Sequence, residues 1–275
     1  MKRISIEHIT RYRYAGEASY SVQSLRLTPA TFDGHSVVDW QTTVEPAAQT
    51  IAGRDGFGNV VHLLTVTVPH SEIVIRAAGA VDVEDRTGVV RGLSSGAPPH
   101  VFLRRTALTM PDAQIVAIAD STRGLEPIPR LHTMMEAIRD RVAYETGATS
   151  TETTAAAALA HGVGVCQDHA HIFLAAARTA GLPARYVTGY LLVDDGAPAE
   201  AHHAWAEAWV EGLGWIGFDV ANRICPTDRY VRMAAALDAR YAAPIRGSRR
   251  GGDAEQLDVE VKVRQQAAQQ SQSQQ

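Results

Sequence analysis

Three residues whose side chains can carry out acyl transfer occur in the order cysteine, histidine, aspartate. Cys166 lies in the run Gly-Val-Cys-Gln-Asp, His203 begins the run His-Ala-Trp-Ala-Glu, and Asp219 ends the run Trp-Ile-Gly-Phe-Asp. A thiol, an imidazole and a carboxylate are the groups that turn a cysteine into a nucleophile toward a carbonyl carbon. The sequence therefore predicts cysteine-based attack on an amide or peptide bond, centred on these three residues.

The position of Cys166 favours activation of its thiol. A cysteine attacks as the thiolate, and the ordinary thiol pKa of roughly 8.5 leaves only a small fraction ionised at neutral pH. Cys166 follows a loop that contains Gly162 and Gly164 and precedes a helical pattern, so we expect it at the positive end of a helix dipole. A nearby imidazolium would add a larger stabilisation. The two glycines would let the backbone approach a substrate, and the Cys166 N–H could point at the developing oxyanion.

The strands that carry His203 and Asp219 need a particular register for the two side chains to meet. From His203 to Val210, odd-numbered residues point to one face and even-numbered residues to the other. Asp219 shares the face of His203 only if the residue numbers of each cross-strand pair add up to an even number. This requires a hairpin loop with an odd number of residues, or a bulge. The glycines between the strands favour such a loop. A plain four-residue loop closed by Val210 and Trp215 would exclude Asp219.

Neighbouring polar residues have other interpretations. His202 competes with His203 but points to the opposite strand face. Asp168 and His171, three residues apart, are expected to hydrogen-bond their helix to the sheet. Glu207 has two open interpretations, which are neutralisation of a substrate group and bonding to a neighbouring strand.

A metal site is an alternative interpretation of the helix that follows the thiol. Cys166, His169 and His171 have a superficial similarity to zinc ligands. The two histidines, however, lie on different sides of a helix, and no second cysteine–histidine pair with fixed spacing exists. We therefore predict no metal and no cofactor. The second cysteine, Cys225, is predicted to be a buried free thiol.

Composition narrows the class of protein. The chain has 275 residues, of which 45% are hydrophobic, enough for one or two domains with a sizeable core. A formal charge of −4 gives no general attraction to nucleic acid or anionic lipid, and no apolar run is long enough for a membrane helix. The chain shows no signal-peptide pattern and only two cysteines. It is therefore predicted to be cytoplasmic, with free thiols and no nucleic-acid or membrane partner.

The first part of the chain is predicted to be a β domain. Alternating and β-branched runs predict strands at 3–14, 60–68 and 73–83, with turns within 55–59. Residues 86–100 are rich in glycine, serine and proline and are predicted to connect this domain to the next.

A helical region and further strands follow. Leu131, Met134, Met135, Ile138 and Val142 form one face of a helix, and a second helix after the thiol should end near Gly181. Further patterns predict several elements: strands at 185–193, 203–210, 215–220 and 257–263, and a turn at 194–196. We predict an N-terminal β domain at 1–95, a core at 96–264 that includes the C-terminal strand, and a disordered tail at 265–275.

Four ordered motifs resemble those of the bacterial transglutaminase-like superfamily. They are Gly-Val-Cys-Gln-Asp at 164–168, Gly-Leu-Pro-Ala-Arg-Tyr-Val-Thr-Gly-Tyr at 181–190, His-Ala-Trp-Ala-Glu at 203–207 and Gly-Trp-Ile-Gly-Phe-Asp at 214–219. The runs Ile-x-His-x-Thr-x-Tyr-x-Tyr at 6–14 and Asp-Gly-Phe-Gly-Asn at 55–59 are similar to the N-terminal domain that accompanies this core.

The resemblance implies an α+β fold with a papain-like core behind an N-terminal β-rich domain. It implies Cys166 as the nucleophile, His203 as the general base and acid, and Asp219 as the orienting carboxylate. It does not imply one reaction, because similar proteins include amide hydrolases and true cross-linkers.

The predicted reaction is hydrolysis of a peptide, protein or small amide substrate through a thioester. Water is always present, and excluding it requires a closed apolar tunnel for an amine, which the sequence does not show. Glutamine–lysine cross-linking is the first alternative, and a non-catalytic binding or assembly module is the second. The sequence leaves the oligomeric state open.

Overall fold

Two antiparallel sheets, a two-stranded parallel sheet and a group of helices form the computed structural model, which describes residues 1–94, 96–193 and 202–266. Within the described residues, the strands and α-helices in chain order are as follows: β1 (Lys2–Leu25), β2 (His35–Glu45), β3 (Gln49–Arg54), β4 (Val60–Val66), β5 (His70–Val83), β6 (Val89–Val90), α1 (Ala113–Ser121), α2 (Pro127–Arg139), β7 (Ala143–Tyr144), α3 (Ala155–His161), β8 (Val163–Gly164), α4 (Cys166–Thr179), β9 (Ala184–Leu191), β10 (His202–Val210), β11 (Gly214–Phe218), β12 (Tyr230–Ala236), α5 (Ala239–Ala242), β13 (Ile245–Gly251) and β14 (Glu255–Gln265). Short 3-10 helices cover Pro99–Leu103 and Ala107–Thr109.

The N-terminal sheet is organised around β1, which is longer than predicted. The strand order is β2-β5-β1-β4-β3. The first half of β1 pairs with β5 and the second half pairs with β4, so β1 has two different partner strands along its length. The predicted turn at 55–59 is confirmed, because the Asp55 and Asn59 backbones close it by a 3.0 Å hydrogen bond.

The C-terminal strand belongs to this N-terminal sheet, and its assignment to the core was wrong. The register of β14 places Ile4 opposite Gln265 and Tyr14 opposite Glu255, while β13 pairs with the second half of β1. Both strands therefore cover the side of β1 that β4 and β5 leave open. Gln265, predicted to begin a disordered tail, lies in β14, and residues 267–275 of that tail are outside the described residues.

The core sheet has the order β12-β9-β10-β11-β6, and α4 packs against β9 and β10. The even-numbered residues of β10, Ala204, Ala206 and Ala208, lie in one apolar cluster with Phe173 and Leu174 of α4. Small alanines on the strand allow a helix to pack closely over it. The α+β fold with an N-terminal strand-rich region is therefore as predicted.

The helices follow the predicted apolar patterns with small shifts of their ends. Leu131, Met134, Met135 and Ile138 are all fully buried in α2, which ends at Arg139, before Val142. The helix α4 is buried on nearly every side rather than on one face, because sheet and helices surround it. No helix in the described part of the chain is both long enough and apolar enough to cross a bilayer.

The predicted connection at 86–100 is partly built into the core. Val89 and Val90 form β6 at the edge of the core sheet beside Trp215 and Ile216 of β11, and the first 3-10 helix begins at Pro99. Ser95 and the predicted turn at 194–196 lie outside the described residues.

The N-terminal domain is fixed to the core by buried polar contacts. Asn59 accepts a hydrogen bond from the Ala235 N–H and donates one to the Ala235 carbonyl, both 2.8 Å long. The Arg232 N–H of the same strand donates to His35 Nε2 at 3.2 Å. Because these donors and acceptors are buried, separating the two parts would leave them without partners.

Candidate active site

The register between β10 and β11 brings His203 and Asp219 together. Val210 pairs with Gly214 and Ala206 with Phe218, so the loop has three residues and paired numbers sum to an even value. The predicted odd-numbered loop is thereby confirmed. His203 Nε2 lies 2.7 Å from Asp219 Oδ2, and both side chains are buried.

Cys166 is the first residue of α4, and its side chain lies close enough to His203 to raise the pKa of that imidazole. Burial alone would lower the pKa of His203. Hydrogen bonds and charge interactions with Asp219 and Cys166 outweigh burial and raise the pKa to about 10. The direction of this shift favours the protonated imidazole of His203. The structure places the three predicted residues in one chain of contacts, from sulfur through imidazole to carboxylate.

Two further residues hold Asp219, and the sequence reasoning missed both. Asn222 Nδ2 and the Tyr230 hydroxyl each donate to Asp219 Oδ2 at 2.7 Å, and the Asn222 N–H donates to Oδ1 at 3.2 Å. Burial would raise the pKa of Asp219, but the hydrogen bond and charge of His203, helped by these donors, lower it. An Asn three residues after an Asp is a local turn signal, whereas Tyr230 comes from β12 and has no local signal.

The two glycines before Cys166 have structural roles in the fold. These roles differ from the predicted one, which was to let the backbone approach a substrate. Gly162 ends α3 with a φ of 73°, a left-handed conformation that favours glycine. A Cβ on Gly164 would lie 2.8 Å from the Asp168 Cβ, so only glycine fits beneath that side chain. Asp168 Oδ2 in turn accepts hydrogen bonds from the Val165 N–H at 2.8 Å and Thr149 Oγ1 at 2.6 Å. This cap fixes the start of α4, and with it the thiol.

The other histidines near the thiol have protein partners. His169 contacts the carbonyls of Val165 and Val142, and His171 Nε2 accepts a hydrogen bond from the Ala239 N–H at 3.1 Å. This hydrogen bond joins α4 to α5, and the ring of His171 also packs against that of Tyr186 in β9, with centroids 5.2 Å apart.

His202, the alternative to His203 as the catalytic histidine, does not point toward Asp219. His202 Nε2 lies 2.9 Å from Thr188 Oγ1, on the opposite strand face from His203, as predicted.

Glu207 bonds neighbouring strands, which decides between its two interpretations. Its carboxylate lies 2.6 Å from Arg185 Nε of β9 and 2.8 Å from Arg232 Nε of β12, and all three side chains are buried. Arg185 also lies over the ring of Trp215, with its Cζ 3.9 Å from the ring centroid. This ion triad links three strands of the core sheet, β9, β10 and β12.

The predicted free thiol at Cys225 is half-buried, and burial raises its pKa. A cleft of about 460 Å³ has walls formed by Gln167, His202, Thr188 and the segment from Ala239 to Arg246. Its walls include Gln167 and His202, the sequence neighbours of Cys166 and His203, whereas Cys166, His203 and Asp219 do not line it.

Comparison with known proteins agrees with this architecture. Residues 117–220 match the family profile described as the transglutaminase-like superfamily, and residues 4–82 match the bacterial transglutaminase-like N-terminal region. The chain belongs to the transglutaminase-like superfamily. The core match contains Cys166, His203 and Asp219.

Two relatives and one solved structure match this chain over most of its length and most of their own. The chain is 30% identical to an uncharacterized protein of Mycobacterium leprae over 277 residues, which cover 96% of this chain and 99% of the relative. It is 28% identical to an uncharacterized protein of Mycobacterium tuberculosis over 274 residues, which cover 89% and 87% of the two chains. A candidate cysteine protease from Cytophaga hutchinsonii has the same fold, with a TM-score of 0.76, 21% identity and coverage of 96% and 90%.

Proposed function

We propose that this protein is a cysteine-dependent hydrolase of amide or peptide bonds that acts through a thioester, with Cys166 and His203 as catalytic residues. Asp219 is the positioning carboxylate. The observation that carries the proposal is the chain of contacts from the partly buried Cys166 through the buried His203 to the buried Asp219, with the pKa of His203 raised to about 10. A charged imidazole beside a thiol at a helix N-terminus is an arrangement that stabilises a thiolate.

The first half of the reaction forms the thioester. The Cys166 thiolate attacks the substrate carbonyl carbon, and the carbonyl π electrons move to oxygen. The helix begins at Cys166. Its backbone N–H therefore belongs to the first turn, which lacks intrahelical acceptors, and can donate to the oxyanion. The C–N bond then breaks as the His203 imidazolium donates its proton to the leaving amine.

The second half uses the same histidine as a base. Acylation removes the negative charge of the sulfur, which is one of the causes that raise the pKa of His203. That pKa therefore falls, and neutral His203 accepts a proton from an attacking water. The thioester C–S bond breaks, which releases a carboxylic acid and restores the thiolate–imidazolium pair.

Cross-linking of glutamine to lysine is the second candidate, since an amine in place of water would complete the same cycle. We favour water because it is always available and an amine must be protected from its competition. We place the reaction in the cytoplasm, as the sequence predicts, where thiols stay reduced. The substrate is a peptide, a protein or a small amide.

The first test is the pH dependence of Cys166 alkylation by iodoacetamide, read by peptide mass spectrometry, in wild type and His203→Ala. We expect the wild-type rate to stay high down to about pH 5–6 and to collapse in the variant, because the imidazolium stabilises the thiolate. Cys225 is an internal reference in the same protein, since burial raises its pKa and slows its reaction at low pH.

A Cys166 rate that follows an ordinary thiol in both proteins would contradict the proposal and favour a binding module on the same fold. With an activated thiol established, a glutamine peptide incubated with and without a primary amine separates the two reactions. Release of ammonia that does not depend on the amine supports hydrolysis, and incorporation of the amine supports cross-linking.

A further inference from the structure

A second cavity lies between the N-terminal domain and the core, away from the thiol. Its volume is about 280 Å³, and its walls come from both domains. Phe57 and Asn59 contribute from the N-terminal side, and Trp209 and Trp215 from the core sheet. Trp209 is six residues from His203 along β10, a separation of about 20 Å in an extended strand. The cavity is therefore distinct from the site of the proposed reaction.

The charged residues that line this cavity are all arginines. Arg91, Arg185 and Arg232 face it, and none of the described residues in its walls carries a carboxylate. Glu207 binds both Arg185 and Arg232 but lines a different, smaller cavity of about 50 Å³. One carboxylate between two buried guanidiniums leaves one buried positive charge, and Arg91, which is exposed, adds a solvated one.

A buried positive charge requires a counter-charge, because desolvation of an ion is costly. Burial and the neighbouring charge of Arg232 lower the pKa of Arg185 to about 10, against the opposing effect of Glu207. An anion in the cavity would supply the missing negative charge. Guanidinium groups bind carboxylate and phosphate oxygens in bidentate geometry, so either headgroup suits the site.

Aromatic walls define the rest of the ligand. The rings of Trp209 and Trp215 meet edge to face, with centroids 5.5 Å apart, and Phe57 lies on the opposite domain. Ordered apolar surface of this kind holds a flat, apolar group, while the few polar groups fix its orientation.

We propose that this interdomain cavity is a binding site for a small organic anion, in which a carboxylate or phosphate is joined to an aromatic or apolar body. The anion binds at Arg91, Arg185 and Arg232, and its body lies against the two tryptophans. Since its walls belong to both domains, an occupied site also stabilises their contact. The proposal does not depend on the reaction at Cys166.

Isothermal titration calorimetry with the full-length chain tests this site, with benzoate, phenyl phosphate and the neutral benzamide as probes at constant ionic strength. We expect at least one anion to bind and benzamide not to bind. Arg91 is exposed, so Arg91→Gln leaves the buried triad intact. Loss of one charge-assisted contact should weaken anion binding at least about tenfold. Arg105→Gln, an exposed arginine outside the cavity, is the matched control and should bind like wild type.

The relative affinities of benzoate and phenyl phosphate identify the headgroup. Three outcomes would overturn the proposal: neither anion binds, benzamide binds as tightly as benzoate, or Arg91→Gln and Arg105→Gln behave alike. Circular dichroism of each variant verifies that the fold is unchanged.

Discussion

At the scale of single residues, the most constrained group is the carboxylate of Asp219. Its Oδ2 atom accepts from His203, Asn222 and Tyr230, each at 2.7 Å, and the side chain is fully buried. Several donors on one oxygen keep a buried carboxylate ionised and immobile. A fixed anion holds the imidazole ring of His203 in one orientation, which a nucleophile–base pair requires.

Replacing the charge of Asp219 should lower the pKa of His203. In Asp219→Asn the ring stays buried and loses its anion, so we expect the pKa to fall from about 10 to 6.5 or below. An NMR titration of the His203 ring carbon measures this value directly. Tyr230→Phe is the matched control, because it removes a hydrogen bond and keeps the charge, and its effect should be much smaller. An unchanged pKa in Asp219→Asn would mean that another group holds the proton on His203.

At the scale of elements, the hairpin of β10 and β11 decides whether the site exists. The three-residue loop from Glu211 to Leu213 sets the pairing so that Asp219 lies on the face of His203. Strand residues alternate between faces, so a shift of one residue in the pairing would reverse every side chain of β11.

Loop length can therefore be used to test the site without changing any catalytic residue. We expect one glycine inserted after Gly212 to separate Asp219 from His203 and to reduce Cys166 alkylation at pH 6 at least about tenfold, since an ordinary thiol is then mostly protonated. Insertion of two glycines preserves the parity and should restore most of the rate. Equal rates in the two insertions would show that register is not what brings the pair together.

At the scale of the whole molecule, burial of histidines links folding to pH. Burial lowers the pKa of His8, His35 and His202 to about 4 and that of His171 to about 3, with help from the charge of a neighbouring histidine or arginine. Two of these residues, His8 and His35, lie in the N-terminal domain and contact the core at Tyr190 and Arg232. The contact between the domains therefore depends on neutral imidazoles.

The protein should lose stability in mild acid. Below the unfolded pKa of about 6.5 the unfolded chain binds protons that these folded histidines do not. The free energy of unfolding should therefore fall as pH drops from 6.5 toward 4, by about 1 kcal/mol per histidine and pH unit. Urea unfolding at a series of pH values measures the slope. His8→Gln should reduce this slope by the contribution of one proton. Replacement of an exposed histidine, His161→Gln, should change the slope only slightly. Equal slopes in wild type and His8→Gln would contradict this interpretation.

The sequence by itself determined the local features of this protein. The apolar spacing of α2, the start of α4 at Cys166 and the need for an odd-numbered loop before Asp219 all depend on residues a few positions apart. Side-chain periodicity and turn chemistry are encoded at that range, so they can be recognised without a structure. The order of cysteine, histidine and aspartate is of the same kind.

Only the tertiary structure decided which distant groups meet. Tyr230 reaches Asp219 from β12, Glu207 takes its partners from β9 and β12, and β14 pairs with β1 across nearly the whole chain. An alternating strand pattern indicates which face is buried and does not indicate which strand lies beside it. That choice depends on burial and hydrogen bonding summed over the entire chain, and it also created the arginine-lined cavity between the domains.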